Sequence, residues 1–238
     1  MFGPAGGNKA MAPVAGGHLI DYVVREIEVL SPVATIVLAV AEDQATPVRV
    51  RALTASQVTV VASPSDGTGP GVRRLLAAAR TEYVALSTCD LAAGTGSLTT
   101  FFKNAVGQVS IDEPRCVVAV SPLDETDPAP IFVHTSGSAV IDYGKRAPQS
   151  SLSFAGARLM NSAFASILMN SSQDLITDTE MMTSLVHEFP GTVRAMAVQD
   201  LFDVDNPLAL ERAAVLTRED PLASRLSGVD GRLPPRAH

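Results

Sequence analysis

From His18 to Ser31 the apolar residues Leu19, Ile20, Val23, Val24, Ile27 and Leu30 recur at the spacing of one helical face. The next run, Val33 to Val40, is rich in β-branched residues and stops at acidic, polar positions, which predicts a strand. The alternation then repeats: a strand over Gln57 to Ala62, a helix over Gly71 to Arg80, a strand over Tyr83 to Thr88 and a helix over Leu98 to Val106. Strands alternating with helices predict an α/β fold, a three-layer sandwich around a mostly parallel mixed sheet of Rossmann-like winding.

Beyond Asp112 the pattern changes. Four strand-like runs follow without intervening helices, Cys116 to Ser121, Pro130 to Thr135, Ser138 to Tyr143 and Leu152 to Arg158, and these predict antiparallel or mixed additions to the sheet. Helical segments at Ser162 to Asn170 and Asp174 to Phe189, a strand at Thr192 to Gln199 and a helix at Pro207 to Leu216 complete the pattern. There is no internal repeat. One domain is expected over 1–216, with a loosely ordered polar tail over 217–238 that carries Pro234, Pro235 and Arg236.

A chain of 238 residues, 46% of them hydrophobic, can bury a sizeable core. The formal net charge is −7 and the basic residues are scattered, which argues against a nucleic-acid partner. An anionic small ligand therefore needs a metal or local Lys and Arg. Cys89 and Cys116 each lie in or beside an apolar run, where an unpaired buried thiol is more usual than a disulfide. No apolar run reaches the roughly 18 residues of a membrane span, and Met1 to Gly7 lacks the charged and apolar regions of a signal peptide. A cytoplasmic location without a membrane partner is the expectation.

Four stretches carry candidate chemistry. The apolar run Tyr83-Val84-Ala85-Leu86-Ser87-Thr88 ends at Cys89-Asp90, which delivers a carboxylate to the edge of a sheet. Ligand crevices of open α/β sheets lie there, so Asp90 is a candidate metal ligand, although Asp is equally a common turn former. In Gly6-Gly7-Asn8-Lys9 a small-residue loop precedes a lysine and then a helix. Glycine N–H groups can approach phosphate oxygens and the lysine adds a point charge, whereas a flexible terminus would have the same composition. Ser65-Asp66-Gly67-Thr68-Gly69-Pro70-Gly71 is a strand-to-helix loop on which a planar base could lie, or a plain tight turn. Finally, Phe202-Asp203-Val204-Asp205-Asn206-Pro207 leads from a strand into a helix. There Asn206 suits the N-cap and Pro207 the first helical turn, and one of Asp203 and Asp205 is expected to face the crevice of Asp90. Magnesium takes only one or two protein carboxylates beside substrate phosphates, so two acids suffice. The four histidines show no metal-cluster spacing.

The order of these stretches resembles the nucleotidyltransferase family with the glycosyltransferase-A (GT-A) type fold, which includes sugar-1-phosphate nucleotidylyltransferases and the guanylyltransferases of the molybdenum cofactor. Lys9 to Tyr22 is similar to the family's lead into its first helix, Gly67-Thr68-Gly69 to its base-contacting loop, and Cys89-Asp90-Leu91-Ala92 to the strand end with its metal-binding Asp. Asp205 falls where the family has a late metal ligand, and Gly156, in Ser153-Phe154-Ala155-Gly156-Ala157-Arg158, where it has an acceptor-contacting strand. The resemblance implies Mg2+-dependent transfer of a nucleoside monophosphate from a nucleoside triphosphate to a phosphorylated, sugar phosphate-like acceptor, with release of pyrophosphate. It implies Lys9 and Asp90 as catalytic residues, Gly6, Gly7, Lys9, Gly67 and Thr68 at the nucleotide, Gly156 at the acceptor, and Asp90 with Asp205 at the metal. Three features depart from the family pattern. The chain begins inside the Gly-rich loop that the family precedes with an apolar strand, the loop lacks a Thr-Arg pair, and Gly-Asp-x-Pro is replaced by Cys-Asp-Leu-Ala. The alternative expectation is thus a non-catalytic nucleotide- or nucleotide-sugar-binding protein of the same fold.

Overall fold

The computed structural model describes residues 9–30, 36–41, 58–63, 68–79, 81–109, 112–124, 127–145, 150–171 and 174–218. A 3-10 turn at Lys9–Met11 leads into a two-residue hairpin, β1 (Pro13–Val14) and β2 (Gly17–His18), and then helix α1 (Leu19–Leu30). The hairpin turns at Ala15 and Gly16, both with positive φ of 43° and 88°, the conformation that matches strand twist in a two-residue loop. Strands β3 (Ile36–Ala41) and β4 (Val58–Ser63) form a parallel pair. There follow α2 (Thr68–Ala78), β5 (Tyr83–Ser87), β6 (Leu91–Ala93), α3 (Ser97–Val106), β7 (Cys116–Pro122), β8 (Phe132–Ser136), β9 (Ala139–Gly144) and β10 (Leu152–Asn161). The chain continues through α4 (Ser162–Met169), α5 (Asp178–Glu188), β11 (Val193–Ala197), β12 (Leu201–Asp203) and α6 (Pro207–Arg218).

The main sheet runs β5-β10-β7-β11-β9-β8. Its centre is β7, whose residues Cys116 to Val120 are all buried, as a strand covered on both faces must be. Cys116, Val118 and Val120 pack with Phe164 and Leu168 of α4 and Met181, Met182 and Leu185 of α5. Val117 and Ala119 face the other way, onto Leu98, Phe101 and Phe102 of α3. This gives the helix-sheet-helix layering expected from the pattern. Each such fully buried side chain contributes about 1.5–3 kcal/mol, which is how an eight-residue helix such as α4 persists although isolated helices of that length do not. Its N-terminus is also capped by buried Asn161, which accepts the Phe164 N–H at 2.8 Å and donates to the Glu113 carbonyl at 2.6 Å.

The sheet is mixed, as expected, but its described pairings are weighted toward antiparallel. Within it only β7–β11 is parallel, and β5 pairs with β10 in the antiparallel sense. The reason is that β10 is a ten-residue strand and takes both β5 and β7 as neighbours. Several boundaries also move. The helix placed at Asp174 begins at Asp178 because Thr177 and Glu180 form a capping box, and the Ile176 carbonyl is occupied by the Gly69 N–H at 2.9 Å. Helix α2 begins at Thr68 rather than Gly71, and α6 runs to Arg218 with Thr217 buried. The remainder of the expected tail, 219–238, lies outside the described residues.

Glu26 of α1 supplies the cap that α3 lacks locally. The N-cap of α3 is Gly96, which has no side chain, and the Glu26 carboxylate instead accepts the Gly96 N–H at 2.8 Å and the Thr99 N–H at 3.1 Å. Thr99 Oγ1 donates to the same carboxylate at 2.9 Å. Hydrogen bonds to a charged group contribute about 1.5–3 kcal/mol, so Glu26→Ala should destabilise the protein by about 2 kcal/mol in a denaturant titration. A loss below about 0.5 kcal/mol, the scale of an ordinary surface substitution, would mean that water replaces the cap.

Candidate functional site

Two short strands that sequence periodicity does not resolve bring the distant acids together. β6 and β12 pair antiparallel, with Leu91 opposite Asp203, Ala92 opposite Phe202 and Ala93 opposite Leu201. The register is locked beyond the strand ends by the Val204 N–H, which donates to the Asp90 carbonyl at 2.9 Å. Asp90, in the turn after β5, is thereby set beside Asp203, the last residue of β12, with Asp205 in the turn before α6. Asn206 caps α6 by accepting the Ala209 N–H at 2.9 Å, and Pro207 opens the helix, which leaves Asp205 free of a capping duty.

Lys9 completes the cluster. Its ammonium donates a short hydrogen bond to Asp205 Oδ1 and lies 3.6 Å from Asp90 Oδ2. All three side chains are part-exposed, at 38% for Lys9, 27% for Asp90 and 28% for Asp205, so the cluster opens to solvent rather than into the core. The turn that positions Lys9 is tied to α1 through Ala12, whose N–H donates to the Lys9 carbonyl at 2.9 Å and whose carbonyl accepts the Leu19 N–H at 3.1 Å. Burial tends to lower the Lys9 pKa, but its hydrogen bond to Asp205 and the charges of Asp205, Asp90 and Asp203 together raise it.

The expectation that only one of Asp203 and Asp205 faces Asp90 is corrected. β12 ends at Asp203, so strand alternation does not govern the pair; both acids act on Lys9, and Asp203 is also acted on by Asp90. Asp203 accepts a hydrogen bond from Thr88 Oγ1 at 2.9 Å. Burial, with Asp90 and Asp205 adding, pushes its carboxyl up to about 7, against the opposing effects of Thr88 and Lys9. Burial also raises Asp127 in the segment after β7, with Asp205 and Asp124 adding to the effect. Asp124 pairs with Arg212 of α6, whose guanidinium sits 4.5 Å over the Phe202 ring.

The raised carboxyl of Asp203 has a consequence for stability. Between its ordinary value of 3.8 and about 7 the folded protein holds a proton that the unfolded chain has released, so stability falls as pH rises through that window and the penalty is complete above it. Asp203→Asn should therefore raise the melting temperature relative to wild type above pH about 7. The gain should shrink on acidification toward the ordinary carboxylate range, as read from paired thermal melts across pH in metal-free buffer. A pH-independent difference would place the effect in packing instead.

Gly156 reaches the same cluster from β10. Its φ is +78°, at a register shift in β10, and a Cβ there would lie 2.5 Å from Asp203 Oδ1 and 2.8 Å from both Leu91 Cδ1 and Thr88 Oγ1. The Gly156 carbonyl accepts the Thr88 N–H at 2.9 Å. Thr68, by contrast, is tied elsewhere: its Oγ1 accepts the Asp178 N–H at 3.0 Å at the start of α5. Gly6, Gly7 and Gly67 lie outside the described residues. Thr88, which links Gly156 to Asp203, is the contributor that residue type alone did not single out. A polar residue two positions before a strand-end Asp was the available signal.

The chemistry of this donor set suits a hard divalent cation. Two carboxylates lie within reach of one ammonium, and a third, Asp203, is raised by burial with the charges of Asp90 and Asp205 adding. Oxygen donors in that number match magnesium, which keeps water and phosphate for its remaining positions. Among the described residues no three His, Cys, Asp or Glu side chains form a closed metal cage. Burial, with Asp90 adding, pushes the Cys89 thiol up to about 12, which disfavours its thiolate form. Both cysteines are free. No helix among the described residues is long and apolar enough to cross a membrane.

Residues 3–154 match the family model of the MobA-like NTP transferase domain. No curated protein sequence matches the chain at a significant level. The inositol-1-phosphate CTP transferase from T. maritima is similar in structure, with a TM-score of 0.72 at 18% identity over 90% of this chain and 88% of that one. A putative glucose-1-phosphate thymidylyltransferase from Bacillus anthracis, in complex with a sucrose, gives 0.71 at 15% identity over 89% and 87%. A UDP-glucose pyrophosphorylase complexed with UDP-glucose gives 0.66 at 14% over 87% and 89%. At these identities the likeness carries the fold, which is the GT-A type expected from the sequence.

Proposed function

We propose, for a chain that belongs to the family of MobA-like NTP transferase domains, that the Lys9, Asp90 and Asp205 site moves a nucleoside monophosphate from a nucleoside triphosphate to a phosphorylated, sugar phosphate-like acceptor. The observation that carries this reading is the convergence of one ammonium and two carboxylates, Lys9 with Asp90 and Asp205, from distant parts of the chain. The structural neighbours named for sugar phosphate or cyclitol phosphate substrates support the acceptor class.

In this reading an acceptor phosphate oxygen forms a bond to the α-phosphorus as the bond from that phosphorus to the bridging oxygen breaks, and pyrophosphate leaves with the electron pair. Such a reaction needs positioning and charge neutralisation more than a covalent protein intermediate. Lys9 pairs with the triphosphate oxygens, and the N–H groups of Gly6 and Gly7 hold the same anion. Gly67 and Thr68 face the base. Gly156 contacts the acceptor through its backbone, because the space of its missing side chain is filled by Asp203, Leu91 and Thr88. Asp90 and Asp205 hold magnesium, which when bound neutralises phosphate charge.

The test is pyrophosphate release by the purified protein, given each nucleoside triphosphate with a panel of sugar 1-phosphates and inositol 1-phosphate in the presence of Mg2+. Sustained release with a particular pair is the expected result. Absence of release from every pair, together with no Mg2+-dependent triphosphate binding, would overturn the reading.

A further inference from the structure

The position of Lys9 has a consequence that extends the proposed function and rests on its assignment of Asp90 and Asp205 to a metal. Both carboxylates are already engaged by one cation: Lys9 Nζ binds Asp205 Oδ1 and lies 3.6 Å from Asp90 Oδ2. Among the described residues no other basic side chain forms an ion pair with either acid. A divalent ion gripping the same two oxygens and an ammonium between them would repel each other at contact distance, so the two cannot share the acids. Lys9 is able to leave. It is 38% exposed, and a lysine carries its charge on a flexible four-carbon stem with three rotatable donors.

We propose that Lys9 is a resident counter-ion that a divalent cation must displace from Asp90 and Asp205, and that the displaced ammonium is thereby made available to the phosphate oxygens of the nucleotide. The surrounding charge favours an exchange over a simple vacancy, because Asp203 also acts on Lys9 and leaves surplus negative charge if the ammonium departs alone. Metal entry and phosphate capture are thus two halves of one rearrangement. Lys9 therefore weakens the binding of free metal even though it serves the metal-bound nucleotide, a sign opposite to that of an ordinary binding residue.

The measurement is the affinity for Mn2+ alone, read from the electron paramagnetic resonance signal of free Mn2+ in buffer without nucleotide. The proteins compared are wild type, Lys9→Gln, Lys9→Met, Lys9→Arg and Asp205→Asn. Removing the competing charge should make Lys9→Gln bind Mn2+ about tenfold more tightly than wild type, the scale of losing two part-exposed ion pairs. Lys9→Arg, which keeps a cation, should bind no more tightly than wild type, and Asp205→Asn should bind far more weakly. Lys9→Met repeats the charge loss with a different side chain, so the comparison does not depend on how well one variant folds. Equal Mn2+ affinity in wild type, Lys9→Gln and Lys9→Met, with loss in Asp205→Asn, would overturn the competition while leaving the metal site in place. Mn2+ affinity unchanged by Asp205→Asn, or no Mn2+ binding by any variant, would overturn the assignment of the site itself and the competition with it.

Discussion

Asp205→Asn should lower Mg2+-dependent nucleotidyl transfer by about 10²–10³-fold, the scale of losing one preorganised charge contact to a transferring group. The substitution preserves the side chain's shape and removes its charge, so it strips both a proposed metal ligand and the partner of Lys9. The fold should not suffer, because α6 is capped by Asn206 rather than Asp205 and Asp205 is part-exposed. Asp90→Asn should have a similar effect. The double variant should be little worse than either single one, since residues that act as a unit are not additive. Steady-state pyrophosphate release beside a thermal melt separates the two contributions. Wild-type rates in Asp205→Asn, or a loss of rate that tracks a loss of folded protein, would remove Asp205 from the machinery.

Gly156→Ala should destabilise the protein by about 3 kcal/mol, combining the cost of a left-handed residue at about 1–2 kcal/mol with overpacking of about 1–3 kcal/mol. Both causes operate here. The φ of +78° disfavours any Cβ, and that Cβ would sit 2.5 Å from Asp203 Oδ1 and 2.8 Å from Leu91 Cδ1 and Thr88 Oγ1. For a chain of this size the loss corresponds to a melting temperature lower by roughly 6–12 °C. Gly137→Ala separates the causes: its φ is +60°, but nothing lies within 4 Å of its Cβ position, so only the backbone cost of about 1–2 kcal/mol should appear. Equal losses at the two positions would mean that Asp203, Leu91 and Thr88 yield without resistance. Such relaxation would argue against a close-packed link between β10 and the acids.

The helices and long strands were legible because one buried face imposes a period on the sequence. The apolar positions of α1 announce themselves in this way, and β7, covered on both faces, by an unbroken apolar run. The ribbon of β6 and β12 was not legible, since three-residue strands are shorter than any periodic signal, and its register is held at both ends by long-range bonds, from the Val204 N–H to the Asp90 carbonyl and from the Gly94 N–H to the Asp200 carbonyl. Yet that ribbon is what brings Asp90 beside Asp205. Residue type and the order of motifs pointed to Lys9, Asp90 and Asp205, whereas the link through Thr88 and Asp203 to Gly156 required coordinates. Thr68 marks the other limit. Its place in a glycine-rich loop suggests a contact with the base, and no sequence pattern shows that its hydroxyl also accepts the Asp178 N–H at the start of α5. Sense of strand pairing was likewise hidden: alternation of helix and strand predicts parallel neighbours, but the long β10 places itself between β5 and β7.

The central claim, that Lys9, Asp90 and Asp205 together hold a metal-bound triphosphate, is tested most directly by calorimetric titration of the nucleoside triphosphates into wild type and into the Asp90→Asn/Asp205→Asn double variant, with Mg2+ and without. The account predicts that at least one triphosphate binds wild type, that Mg2+ strengthens the binding, and that the double variant loses the Mg2+-dependent part. A triphosphate affinity that is the same in both proteins and indifferent to Mg2+ would contradict it.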